Sequence, residues 1–259
     1  LIEIMLNSSE IKKIPKSFDI VGDILIFSEF PKDLKKKEKD VGEYLLKKIK
    51  NIKVVAKKSK FYSGKHRTPK LKILAGEKRK ETVHKESGIS IKINPEKAYF
   101  SPRSSNERLR IAKLVKKGEE VLVMFSGVMP FGLVIGKNTS AKEVYGIEIN
   151  KHAHKYAEKN IKINKLHNVH AFKGNVKKVL PKINKKFDRI IMPLPKDSED
   201  YLNLALKYLK KNGKIHIYIF THEKDFKKIK DKYKEFKPKL VKAGNPSPGK
   251  YRICLDLKI

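Results

Sequence analysis

Apolar positions change rhythm once along the chain. Between Ile14 and Pro95 they come in short runs, at residues 20–27, 53–56, 71–74, 81–84 and 90–93, either continuous or alternating with polar residues. Turn-forming and charged stretches separate the runs, among them Tyr62-Ser63-Gly64-Lys65 and Ala75-Gly76-Glu77. Such runs predict β-strands. One helix is predicted over residues 41–49, where Leu45, Leu46 and Ile49 share a face. This first region reads as a small α+β module.

From Glu119 onward the rhythm alternates between strand and helix. Strands are predicted at 121–125, 144–147, 168–172, 187–192 and 214–220, each followed by helical spacing. Asn150 is placed to cap a helix with Ala153, Ala157 and Ile161 on one side. This alternation predicts βαβ units and a mostly parallel sheet. At the end, Tyr251, Ile253, Leu255, Leu257 and Ile259 alternate strictly with Arg252, Cys254, Asp256 and Lys258. That pattern predicts a half-buried, antiparallel strand. The Gly244-Asn245-Pro246-Ser247-Pro248-Gly249 stretch before it reads as a flexible loop. The expected organisation is therefore a module over 1–95 and an α/β domain over 96–259. No internal repeat is visible, and Lys35-Lys36-Lys37 reads as a solvated charge run.

Composition narrows the function classes. Apolar residues make up 39% of 259, enough for a packed core. No apolar stretch approaches a bilayer span and no secretory pattern opens the chain, which points to a soluble cytoplasmic protein and away from membranes. The first residue is Leu1 rather than Met. A single cysteine, Cys254, excludes an internal disulfide and a cysteine metal cluster. His66, His84, His152 and His154 lack metal-ligand partners at useful spacing, so they read as polar surface or RNA-facing residues and no metal is expected. The loudest signal is charge: 62 Lys and Arg stand against 28 Asp and Glu, a formal net charge of +34. An excess of that size points to a polyanionic partner, above all nucleic acid.

Open α/β sheets bind ligands at the carboxyl ends of their strands. Four loops lie there. Phe125-Ser126-Gly127-Val128-Met129 follows the first strand, and its glycine lets backbone approach a ligand closely. Glu148 ends the second strand, where a carboxylate accepts hydrogen bonds from both hydroxyls of a ribose. Asn175 follows the third strand and suits an adenine edge. Pro193-Leu194-Pro195-Lys196 follows the fourth. The bland reading of Glu148 is a carboxylate favoured by a helix start. Taken in order, the four loops resemble those of a class I, Rossmann-like methyltransferase. The resemblance implies S-adenosyl-L-methionine as cofactor, held by Phe125, Gly127, Glu148, Asn175, Pro193 and Pro195.

Ahead of the sheet lies Tyr99-Phe100-Ser101-Pro102-Arg103-Ser104-Ser105-Asn106-Glu107-Arg108-Leu109-Arg110. With residues 188–196 and His66-Arg67-Thr68-Pro69, it resembles the archaeal and eukaryotic tRNA guanine-37 N1-methyltransferase family. Close relatives in that family transfer an aminocarboxypropyl group in wyosine synthesis. The resemblance runs from Ile14 to Ile259 and implies that the first module contacts RNA. The family's further N-terminal module, which touches the tRNA outer corner, is not expected within these residues. Guanine N1 is a poor nucleophile until its proton leaves; a carboxylate can take that proton, and a guanidinium can steady the charge that grows on O6. The resemblance assigns those roles to Glu107 and Arg67. It places Arg108 at the cofactor and Tyr99, Arg103 and Lys196 at the substrate. Without it, Glu107-Arg108 reads as a surface ion pair and Arg67 as a phosphate contact.

The chain departs from the family's pattern at four places. Val123 stands where an acidic residue is usual, Met129 where a second glycine is, Asn175 where Asp is, and Pro193 where Asn is. The leading expectation is a monomeric tRNA methyltransferase acting on N1 of guanosine-37. An aminocarboxypropyl transferase is the runner-up, and a basic RNA-binding protein with a degenerate cofactor pocket is the reading from another class.

Overall fold

The computed structural model describes residues 6–63, 68–193 and 201–259. The chain forms two compact units. One takes in the residues up to Lys85 together with Ser90–Pro102; the other takes in Glu86–Ile89 and Arg103–Ile259.

In the first unit a short helix, α1 (Ser8–Lys13), precedes the strands β1 (Phe18–Val21) and β2 (Ile24–Phe27). Helix α2 (Glu38–Lys48) then leads to two long strands, β3 (Val54–Ser63) and β4 (Thr68–Gly76). The sheet order is β1-β2-β3-β4, with β2 and β3 parallel and α2 as their crossover. Leu25, Phe27, Val41, Leu45, Val55 and Leu74 form its core. The apolar run at 20–27, expected as one strand, is a hairpin. Gly22 turns the chain with φ +58°, and a Cβ there would meet Thr82 Oγ1 at 2.2 Å. Only glycine fits that approach. Thr82 opens a second hairpin, β5 (Thr82–Glu86) and β6 (Ile89–Ile93).

The second unit opens with α3 (Ser105–Leu114) and continues through β7 (Glu120–Met124), α4 (Pro130–Asn138), β8 (Glu143–Glu148), α5 (Lys151–Ile163), β9 (Val169–Lys173), α6 (Val176–Ile183) and β10 (Phe187–Met192). Helix α7 (Leu202–Lys207), β11 (Leu209–His222), α8 (Phe226–Lys232), β12 (Lys239–Ser247) and β13 (Lys250–Lys258) complete it. The seven strands take the order β12-β13-β11-β10-β7-β8-β9. Every pairing from β9 to β11 is parallel, and β13 runs antiparallel between β11 and β12. The order reverses beside β7, the switch point where such sheets bind ligands.

Each face of this sheet is covered. Leu122, Met124, Ile190, Ile217, Leu255 and Leu257 face one way, against apolar residues of α6, α7 and α8. The alternate residues face α3 and α4. The C-terminal strand was expected to leave its polar side in water. Instead Cys254 is fully buried and Asp256 mostly so, because α3 lies over them. Strand β12 was not expected; the stretch read as a flexible loop is its end and the turn into β13. As the sheet's edge strand, it tolerates Pro246 without losing a ladder bond.

Candidate active site at the strand ends

The loop after β7 is held in an unusual backbone shape. Phe125, Gly127 and Met129 all have left-handed φ, at 60°, 58° and 74°. Left-handed backbone costs a non-glycine residue about 1 kcal/mol, so packing must compensate. Three contacts do so. Ser126 N–H donates to Ile147 O at 2.9 Å. The buried Asn160 of α5 donates its amide to Val128 O at 3.2 Å. The Phe125 ring meets the Tyr201 ring edge-on at 4.9 Å.

Met129, which replaces the family's second glycine, turns its side chain into the protein. It is fully buried. A Cβ added to Gly146 would lie 2.2 Å from its sulfur, and one added to Gly132 would lie 2.4 Å from its methyl. Two glycines on β8 and α4 thus leave the niche that the thioether fills, and the side chain stays on the helix face of the sheet.

Glu148 lies at the end of β8, partly exposed. Gly127 N–H donates to its Oε2 at 2.8 Å and Asn150 N–H donates to its Oε1 at 2.7 Å. Each carboxylate oxygen therefore spends one lone pair on backbone and keeps another. Two acceptors held side by side suit the paired hydroxyls of a ribose. Ile149, next in the chain, is an exposed apolar side chain beside that carboxylate; the sequence reading passed over it, although an apolar residue after a strand-end acid was the available signal. Asn175 caps α6, accepting from Lys177 N–H at 2.9 Å, which leaves its NH2 group as a donor for a base edge. Pro193 closes β10 and offers no N–H. These donors and acceptors fit an adenosyl group. Arg67, His66, Pro195 and Lys196 lie outside the described residues.

Helix α3 carries the carboxylate expected as base. Glu107 is only 6% exposed. Arg110 donates to both its oxygens, at 2.7 and 2.8 Å, and the Tyr218 hydroxyl donates to Oε1 at 2.7 Å. Arg108, expected at the cofactor, gives Nε and Nη2 to Glu86 at 2.6 Å each, and both side chains are 3% exposed. Glu107 and Arg108 are therefore no surface pair. They point to different partners, both inside the protein.

A polar chain continues from Glu107 under α3. Arg110 also donates to Asp256, at 2.7 and 3.2 Å. His216 Nδ1 lies 2.6 Å from Asp256, and His216 Nε2 lies 2.7 Å from Arg189 Nη1. Arg189 donates to Glu119 at 2.8 and 3.0 Å and to Leu114 O at 2.5 Å. Burial pushes the His216 pKa below its ordinary value, against the pull of Asp256. A neutral ring with its proton on Nδ1 satisfies both neighbours, donating to the carboxylate and accepting from the guanidinium. Burial would raise the Asp256 pKa, but the hydrogen bonds from His216 and Arg110 outweigh it and hold the carboxyl well below the usual range. The hydrogen bonds to Glu107 and Asp256 raise Arg110 despite its burial. Burial also pushes the Tyr218 hydroxyl and the Cys254 thiol up. Two carboxylates at the ends, one in the middle and two guanidiniums between them leave a charge of −1 spread along a hydrogen-bonded row. The sequence showed Arg189 only as part of the family resemblance; its role here is to tie α3, β7 and β11 together.

The remaining expected residues are placed as follows. Arg103 lies in the single 3-10 turn before α3, and Tyr99 is exposed in the first unit. His84 is not a free surface residue: its Nδ1 accepts from Gly22 N–H at 3.2 Å and its ring packs on Phe100. His154 is mostly buried beside Glu158. His216, Cys254 and Asp256 offer ligand atoms within 4.8 Å of one another. With Arg110 and Arg189 bonded to the same cluster, a cation there would meet two guanidiniums.

A seven-stranded sheet of this order, with an aligned carboxylate ending its second parallel strand, defines a class I methyltransferase. The TRM5/TYW2 methyltransferase domain matches residues 82–242, and the TYW2 N-terminal domain matches residues 1–79. The chain is similar to the tRNA (guanine(37)-N(1))-methyltransferase Trm5b of Pyrococcus abyssi, 38% identical over 95% of this chain and 76% of that one. Among solved structures it is similar to aTrm5 in complex with tRNALeu, with a TM-score of 0.83 and 34% identity over 95% of this chain and 72% of that one. It is likewise similar to Methanocaldococcus jannaschii Trm5 in complex with adenosine, with a TM-score of 0.79 and 33% identity over 97% and 75% of the two chains. The chain belongs to the TRM5/TYW2 methyltransferase family.

Proposed function

We propose that the protein is a tRNA methyltransferase that uses S-adenosyl-L-methionine to methylate N1 of guanosine-37. The observation that carries this reading is the Glu148 carboxylate, aligned by Gly127 and Asn150 at the end of β8. The relatives' substrates and the adenosine bound by one of them support it.

Glu148 would hold the ribose of the cofactor, with Phe125 and Gly127 shaping the loop beside it, and Ile149 and Asn175 would contact the adenine. Bound there, S-adenosyl-L-methionine supplies a methyl group activated by a sulfonium. Glu107 takes the N1 proton of guanine. Three hydrogen bonds occupy three of the roughly four lone-pair sites of its carboxylate, so one remains for that proton. Arg110 and Tyr218 fix its orientation, and positioning of this kind supplies much of the rate in a transfer reaction. Arg67, by the family resemblance, steadies the charge on O6, while Tyr99, Arg103 and Lys196 shape the substrate pocket. Arg108 anchors α3 through Glu86. The target base leaves its stack to react, at least cost when it sits in a loop. A monomer working in the cytoplasm accompanies this reading.

The test is nucleoside mass analysis after incubation with unmodified tRNA and S-adenosyl-L-methionine. The expected product is guanosine heavier by one methyl group, co-migrating with 1-methylguanosine. A gain of an aminocarboxypropyl group, or no gain, would overturn the assignment.

A further inference from the structure

Beyond Tyr218, the same face of the sheet carries an aromatic ring that the reaction above does not use. His216, Tyr218 and Phe220 succeed one another along β11, and Phe220 pairs with Arg252 across the ladder to β13. Tyr218 is buried against Glu107, and the Arg252 guanidinium lies over its ring, 4.3 Å from the centroid. Phe220 is the next residue outward, about 7 Å along the strand. It is 38% exposed, the one exposed Phe or Tyr of the second unit among the described residues. The Lys250 ammonium stands 5.9 Å from its ring centroid.

Two cations of β13 stand on this face, Lys250 beside Phe220 and Arg252 over the neighbouring Tyr218. Residues 244–250, the tip of the β12–β13 hairpin, are all exposed. An exposed apolar ring flanked by cations, at the carboxyl end of a strand beside the candidate base, has the composition of a nucleobase stacking site: a π-face for the base, charges for the phosphates.

We infer that Phe220, flanked by Arg252 and Lys250, is a stacking platform for an unpaired base adjacent to the reacting one in a single-stranded RNA loop. The inference rests on the RNA substrate proposed above. In this arrangement the platform sets the register of the loop, so that the target base alone reaches Glu107.

The experiment is fluorescence-anisotropy binding of labelled, unmodified tRNA to the full chain and to Phe220→Ala, Phe220→Leu, Phe220→Tyr and Lys250→Ala. Ala and Leu are expected to weaken binding roughly 10-fold, as loss of one stacked base does. Tyr should stay within about two-fold, because it keeps the π-face. The slope of log Kd against log salt should be unchanged for the Phe220 variants and shallower by about one for Lys250→Ala. Calorimetric affinity for S-adenosyl-L-methionine should match wild type in every variant, which reports an intact fold. Phe220→Leu binding as tightly as wild type would overturn the platform, since Leu keeps apolar cover but not stacking. Wild-type methyl transfer, read by nucleoside mass, separates the two levels. Transfer by wild type with normal binding by Phe220→Leu sinks the platform alone. Weakened binding by Ala and Leu without any wild-type transfer sinks the reaction and supports the platform. A wild-type chain that binds no tRNA overturns both.

Discussion

At the scale of single residues, Met129 shows how a departure from a family pattern is absorbed. Its backbone keeps the left-handed turn that a glycine would adopt freely, and its thioether fills the niche left by Gly132 and Gly146. Gly146→Ala should therefore destabilise the protein by about 1–3 kcal/mol through overpacking. Met129→Ala should cost about 2–4 kcal/mol through the cavity it leaves. The double variant should cost clearly less than their sum, because the new methyl enters the vacated space. Urea denaturation of the four proteins measures the coupling; strict additivity would show that the two side chains do not share a niche. Glu107 invites a kinetic test. Glu107→Gln should lower kcat by roughly 10²–10⁴-fold, the usual yield of a general base. Affinity for S-adenosyl-L-methionine should be nearly unchanged. Equal losses of turnover and cofactor affinity would make Glu107 a structural residue. The sequence alone could not show that Glu107 and Arg108 part company, because helical neighbours point to different sides and their partners, Tyr218 and Glu86, are distant in sequence.

At the scale of elements, the polar row beneath α3 joins that helix to β13, β11 and β10. Its titration gives a stability signature. His216 has a folded-state pKa depressed below its ordinary 6.5, so it stabilises the fold above that pH. As pH falls below about 6.5, the unfolded chain takes up a proton that the native state refuses, and stability declines. Asp256, also depressed, adds a second loss as pH falls below its ordinary 3.8. Urea midpoints between pH 7.5 and pH 5, a span chosen to bracket the ordinary histidine range near 6.5, should fall for wild type and fall less steeply for His216→Gln. Identical slopes would show that His216 does not titrate on unfolding. The sequence made most elements legible here. The parallel strands announced themselves as apolar runs, and Asn150 marked the start of α5 through its cap. The last strand misled, because Arg252, Cys254 and Asp256 looked like a wetted face. Period-two alternation separates apolar from polar residues and cannot tell water from a buried hydrogen-bonded row. Strand β12 escaped because Gly244, Pro246 and Pro248 carry turn chemistry, which an edge strand tolerates.

At the scale of the whole molecule, charge and pocket divide the work. A formal net charge of +34 supplies a long-range, sequence-independent attraction for a polyanion. The strand-end loops supply the chemistry. Fold class and the position of the cofactor loops could be read from the order of strands, glycine and acid along the chain. The geometry that suits Glu148 to the proposed ribose clamp could not, because its alignment comes from two backbone N–H groups rather than from side chains. That clamp is the centre of the account, and calorimetric titration with S-adenosyl-L-methionine tests it most directly. Wild type should bind one equivalent. Glu148→Gln, which keeps one acceptor oxygen but turns an amide donor toward backbone N–H, should bind on the order of 100-fold more weakly. Equal affinity in the two proteins, or no heat from wild type, would contradict it.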